Sequence, residues 1–244
     1  MFNLPFNITE SPRLRRVGIA ALALAILLLL FTGQKLYSQG EAVTEIGSGT
    51  YQFVGRIDQE GLNFASYGYV YDIEGVAPQA LFSDADAVNA SEATAHFTYY
   101  ATAELTARAV ITDSARAIFP LDSVGEITYY YQDSPSASFD DPQSFMQGTA
   151  VTTATVRMQD ILTVQAPNRG LAVGNGVFSV MSAQPFTFAG ETVRFGRQGK
   201  SYRISTMGDA VRTDPLIPES SVLLAGDAAS VPFWQSFLPV IDNN

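Results

Sequence analysis

The sequence predicts an all-β fold: an antiparallel β-barrel, with a β-sandwich as the alternative, preceded by a single N-terminal transmembrane helix. Three observations carry this expectation. Residues 17–33 read VGIAALALAILLLLFTG without a charge. Two long stretches, Ala93–Thr112 and Gly148–Ala166, alternate between two faces with period two. Beyond the apolar run no stretch shows the 3.6-residue period of an amphipathic helix, while Gly, Pro and Asn turn signals recur.

In chain order, residues 1–16 read as a basic cytoplasmic tail and 17–34 as a signal-anchor helix. At about 1.5 Å per residue that helix spans roughly 27 Å, enough for a thin bilayer. Arg13, Arg15 and Arg16 precede the span and only Lys35 closely follows it. The positive-inside bias therefore keeps the N-terminus cytoplasmic and sends the remainder outside, as a single-pass protein of the cell membrane. The alternative is a secreted protein cleaved near Gly40, with Ser38 and Gly40 as the small residues before the cut. Residues 35–48 are small and polar and read as a linker. Residues 49–213 form the extracytoplasmic β domain. Residues 214–244 carry Pro215, Pro218, Pro232 and Pro239 and read as an extended tail with one short strand at Val222–Ala225.

Within the β domain, odd positions of the first long run (Ala95, Phe97, Tyr99, Ala101, Ala103, Leu105) are apolar and even positions (Thr94, His96, Thr98, Glu104, Arg108) mostly polar. Such alternation marks a half-buried strand. Both runs far exceed the usual length of about five or six residues, and strands this long must bend, as they do in barrels. The second run is followed by a turn at 166–170 and a returning strand at 171–183, a long hairpin. Shorter strands are expected at Thr50–Asp58, Leu62–Ile73, Val124–Tyr131, Phe186–Phe195 (with a turn at Ala189–Gly190) and Lys200–Met207.

Composition narrows the chemistry. The 244 residues include no cysteine and one histidine. Thiol nucleophiles, Cys-ligated metal sites, sortase chemistry and a lipoprotein anchor are thereby excluded, as are sites needing two imidazoles. The only lysines, Lys35 and Lys200, are poorly placed for a Ser–Lys peptidase. With Arg13, Arg15, Arg16 and Lys35 against Glu10, residues 1–40 are net +3, so the net −10 of the whole chain leaves −13 for the rest. That balance argues against nucleic acid as a partner.

No catalytic residues, metal site or cofactor are assigned. The candidate ligand-binding residues are Asp160, His96, Tyr100, Glu104 and Arg108. The last four share the polar face of the first run, although Glu104 and Arg108, about 13 Å apart along a straight strand, cannot pair without a bulge. Asp160 falls on the apolar face between Met158 and Leu162, where a carboxylate is costly unless partnered. A bulge exchanging positions 160 and 161 would instead turn it outward. Tyr67, Tyr69 and Tyr71 stripe one face. Asp84, Asp86 and Asn89 form an acidic loop without EF-hand spacing, and Gly174-Asn-Gly176 reads as a kink or turn.

These features point to a membrane-anchored β domain acting as a non-catalytic binding or assembly module. One alternative is a barrel holding a small apolar ligand; in its long strands the sequence resembles lipocalins and allene oxide cyclases, without their motifs. Another is an accessory subunit of a membrane complex. The partners expected are the lipid bilayer, through residues 17–34, and either a protein or a small apolar molecule.

Overall fold

A computed structural model describes residues 43–84, 86–113, 115–214 and 219–231. The expected span at 17–34 lies outside them. Among the described residues no helix is long and apolar enough to cross a membrane.

The strands, in chain order, are β1 (Thr44–Ile46), β2 (Thr50–Glu60), β3 (Asn63–Ile73), β4 (Phe97–Arg108), β5 (Ile111–Thr112), β6 (Ala117–Tyr131), β7 (Thr149–Ala166), β8 (Arg169–Ala183), β9 (Pro185–Phe188), β10 (Glu191–Phe195), β11 (Ser201–Asp214) and β12 (Glu219–Ser230). Eight of them close into an antiparallel barrel in the order β2-β3-β4-β6-β7-β8-β11-β12, with β12 returning to β2. Each barrel neighbour is the next barrel strand along the chain, as in an up-and-down barrel. The barrel expectation therefore holds over the sandwich. The proline-rich tail needs correction: residues 219–230 form a complete barrel strand. Its inner positions (Ser220, Val222, Leu224, Gly226, Ala228) are small or apolar and lie between the prolines, which masked their alternation.

The two ends differ. Short connections join β2 to β3, at Gly61–Leu62, and β7 to β8, at Pro167–Asn168. The latter is a two-residue turn with Asn168 at φ 62°, tighter than the five-residue loop expected at 166–170. Long connections collect at the other end, where β1, β10 and β9 make a separate small sheet. In it β1 runs parallel to β10, and β9 and β10 form a hairpin whose Ala189 and Gly190 both take positive φ, as a two-residue primed turn requires.

The core fills this long-connection end. Phe186, Phe188, Val193 and Phe195 of the small sheet pack with Tyr51, Phe97, Tyr129, Phe178 and Tyr202 from the barrel strands. Phe178 and Tyr202 stack with centroids 4.6 Å apart, and Tyr51 meets Tyr129 edge-on at 5.8 Å. Buried tyrosines need partners for their hydroxyls. Tyr51 and Tyr129 satisfy one another at 2.7 Å, and Tyr202 donates to the Gly47 carbonyl at 2.8 Å. Gly47 has φ 63° and lies against the Phe195 ring, so a side chain there meets both strain and a clash. Lys200 donates to the Ser48 carbonyl. The chain is thus fastened across the barrel end before it enters β2.

Tyr202→Phe keeps the ring but leaves the Gly47 carbonyl without that donor. The expected loss is about 1–3 kcal/mol of unfolding free energy in urea denaturation followed by circular dichroism.

Candidate ligand cavity

Toward the short hairpins the barrel is hollow, and the inner residues explain why. Along β8 the inward positions run Gly170, Ala172, Gly174 and Gly176 before Phe178 and Val180 fill the far end. The glycines of 174–176 are thus regular strand residues, and no kink or turn occurs there. Ala101 and Ala103 on β4 and Gly208 and Ala210 on β11 add little volume. Phe53, Ile57, Met158, Leu162 and Val222 bound the resulting cavity of about 160 Å³. It opens into a mouth of about 310 Å³ lined by Gly61, Leu62, Arg108, Phe119, Arg169 and Arg212, among others. For scale, an apolar cavity of about 150 Å³ admits a benzene molecule.

Asp160 faces this cavity. Its neighbour Ile161 is 50% exposed on the outer wall, and the irregularities of β7–β8 pairing lie elsewhere, at Thr153/Ala154 and Val164/Ala166. The alternation therefore runs unbroken through position 160, without the bulge that would have turned the carboxyl outward. Asp160 pairs across the sheet with Gly174, which in turn pairs with Thr206. A Cβ on Gly174 would strike both the Asp160 carboxylate and the Thr206 hydroxyl. The missing side chain is what allows the two polar groups to share that spot. Among the described residues Asp160 makes no hydrogen bond or ion pair. Burial, with a smaller contribution from the Asp122 charge, pushes its carboxyl up to about 6.

A second polar group without a partner lies behind the cavity wall, closed off from the hollow. The Tyr99 hydroxyl is buried over Gly55 and makes no hydrogen bond; the Ser66 side chain faces it without completing one. Burial raises its pKa well above the ordinary tyrosine value.

The other candidates separate. His96 precedes β4 at the filled end. It donates from Nδ1 to the Gln132 carbonyl at 2.7 Å and stacks on Tyr131, so it serves the packing. Tyr100 lies on the outer wall, stacked on Tyr67 beneath Phe139 and Phe145 of the β6–β7 connection. That cover also absorbs Tyr69 of the tyrosine stripe. Glu104 is exposed on the outer face. Arg108 parts company with it because a bulge between Leu105 and Ala107 shifts the register of β4 on β6. One extra residue reverses the alternation. Arg108 then stands opposite Leu121, which lines the cavity, and its guanidinium lies over the Phe119 ring at 4.9 Å in the mouth. The shared polar face of His96, Tyr100, Glu104 and Arg108 is therefore not one site: only Arg108 joins Asp160 at the cavity.

In the acidic loop, Asp84 accepts hydrogen bonds from the Asp86 backbone and the Asn89 side chain, and these hold its carboxyl below the usual range. Sequence reasoning missed Thr206, Tyr99, Arg169 and Arg212. For the hollow itself a signal existed in the small residues at even positions of 170–176, set against Val173 and Val177 at odd ones.

Compared with protein-family models, curated proteins and solved structures, the chain matches none.

Well below pH 4 the Asp160 carboxyl is protonated in the folded and the unfolded chain alike, and its burial carries no ionisation cost. As pH rises, the unfolded chain ionises first and stability falls until about pH 6, above which the cost is complete at roughly 3 kcal/mol. Asp160→Asn is therefore expected to raise the unfolding free energy at pH 8 by up to about that amount. The gain should shrink toward zero at pH 4 when urea unfolding is compared at the two values.

Proposed function

We propose that this barrel is a binding module for a small, mainly apolar molecule, which enters through the mouth and sets a polar atom against Asp160 or Thr206. The observation that carries this reading is a mainly apolar cavity onto which one carboxyl, that of Asp160, opens without a partner among the described residues. Buried polar groups are nearly always hydrogen-bonded, and leaving one unpaired costs about 1–3 kcal/mol. A ligand supplying a donor to Asp160 removes that cost. Apolar walls with a few convergent polar groups are the usual make-up of small-molecule sites.

In this reading the uncharged run at 17–34 anchors the chain and the barrel works outside the cytoplasm. Support for that placement comes from the apolar run and the arginines before it.

Native mass spectrometry of the full chain, isolated gently from its source, tests the proposal. An adduct of about the mass of a single-ring or short-chain molecule is expected. Ala172→Phe places a ring in the cavity and should abolish the adduct while circular dichroism stays that of the parent. A bare mass from the parent chain, or an adduct that survives Ala172→Phe, counts against the proposal.

A further inference from the structure

The charges around the mouth run against those of the molecule. Residues 41–244 are strongly acidic, yet three arginines, Arg108, Arg169 and Arg212, line the opening with one carboxylate, Glu219. Elsewhere Arg56, Arg116, Arg157 and Arg197 each face a carboxylate at 2.6–3.8 Å, on Asp58, Asp113, Asp122 and Glu45. None of the three mouth arginines does so among the described residues, and outside the mouth only Arg194 and Arg203 share that lack.

Two of them are also aimed. Arg108 reaches the mouth only because of the bulge in β4, and the Phe119 ring supports its guanidinium by a cation–π contact that leaves the N–H fork unused. Arg212 pairs across the sheet with Ser220, another residue of the cavity wall, and its Nε donates to the Asp214 backbone carbonyl at 2.8 Å. This bond orients the side chain without neutralising it. Guanidinium forks presented in this way match a carboxylate, which accepts two parallel hydrogen bonds. Below them the wall is mainly apolar down to the Phe53 and Tyr99 rings, with Asp160 and Thr206 among its polar groups.

We infer that the occupant is a single-chain amphiphile with a carboxylate head, the head held by Arg108 and Arg212 at the mouth and a mainly apolar tail, carrying the donor to Asp160, in the cavity. The inference rests on the cavity reading above and names the class of ligand for that same site. The tail length is set by the cavity: a benzene-sized chamber takes a short alkyl chain or a single ring. Arg169, on the turn side of the opening, adds to the field that draws an anion into an otherwise acidic molecule.

Three probes with one tail separate the head from the rest: octanoate, octan-1-ol and octylammonium, titrated at pH 8 by calorimetry. The protein is the full chain in phosphatidylcholine nanodiscs, with empty discs as the blank. Octanoate is expected to bind at least about tenfold more tightly than octan-1-ol, with octylammonium the weakest, because charge-assisted hydrogen bonds discriminate on this scale. The double variant Arg108→Ala/Arg212→Ala should bring octanoate to the level of octan-1-ol and leave octan-1-ol unchanged. The Arg108→Lys/Arg212→Lys variant should keep part of the preference, since charge survives and the fork does not. Octanoate binding no more tightly than octan-1-ol overturns the inference while leaving the cavity reading intact, as does a preference that persists in the alanine variant. No binding of any of the three to the folded parent chain overturns both.

Discussion

The barrel depends on one junction, the pairing of β12 with β2. Eleven consecutive antiparallel pairs, from Glu219 opposite Glu60 to Ala229 opposite Thr50, join the last described strand to the first long one. Every other strand pair in the barrel is local along the chain. Without this junction the sheet would be an open meander with two long unsatisfied edges, and its apolar inner face would lie against water. Closure removes both edges at once and creates an inside. The small sheet at one end then has a rim to cover, and the cavity has walls on every side.

What occupies that inside is decided by side-chain size along the inner faces. At the covered end Tyr51, Phe97, Tyr129, Phe178 and Tyr202 fill the interior. Toward the mouth β4, β8 and β11 send in glycine and alanine. β8 shows the change most sharply, passing from Gly176 to Phe178 within two residues. The filled end is held by ring packing and by tyrosine hydroxyls with partners. The hollow end keeps polar groups without them. Stability and binding are therefore separated along the barrel axis: the residues that hold the fold are not those that shape the space for a guest.

Much of this was legible in the sequence. Period-two runs at 93–112 and 148–166 announced long strands, and the long strands implied a closed barrel. For Asp160 the sequence left two readings, inward on the alternation or outward through a bulge exchanging it with Ile161, and the unbroken pairing of β7 with β8 there decides for the first. The reading failed where the backbone does something a pattern cannot display. The bulge near Thr106 leaves no mark in residue type, so Arg108 was grouped with Glu104 across a face that the backbone does not share. His96 and Tyr100 looked available because the segment that covers them, the β6–β7 connection, is remote in sequence. Of residues 219–230 only Val222–Ala225 read as a strand, because strand character on either side rests on serine, glycine and alanine, which are weak β formers that acquire their role from their neighbours.

The same closing junction has a kinetic side. Thr50 finds its partner only in Ala229, almost at the other end of the described chain. Contacts of that separation are formed late, because the entropy of bringing distant segments together must be met before they contribute anything. The hairpins β2–β3, β6–β7 and β7–β8 can form as they emerge from the ribosome, but none of them has an inside until β12 has been made. Until that strand arrives, β2 is an unpaired edge beside an apolar face. The nascent protein therefore passes through a stage in which its most adhesive surface is waiting for its own C-terminal strand.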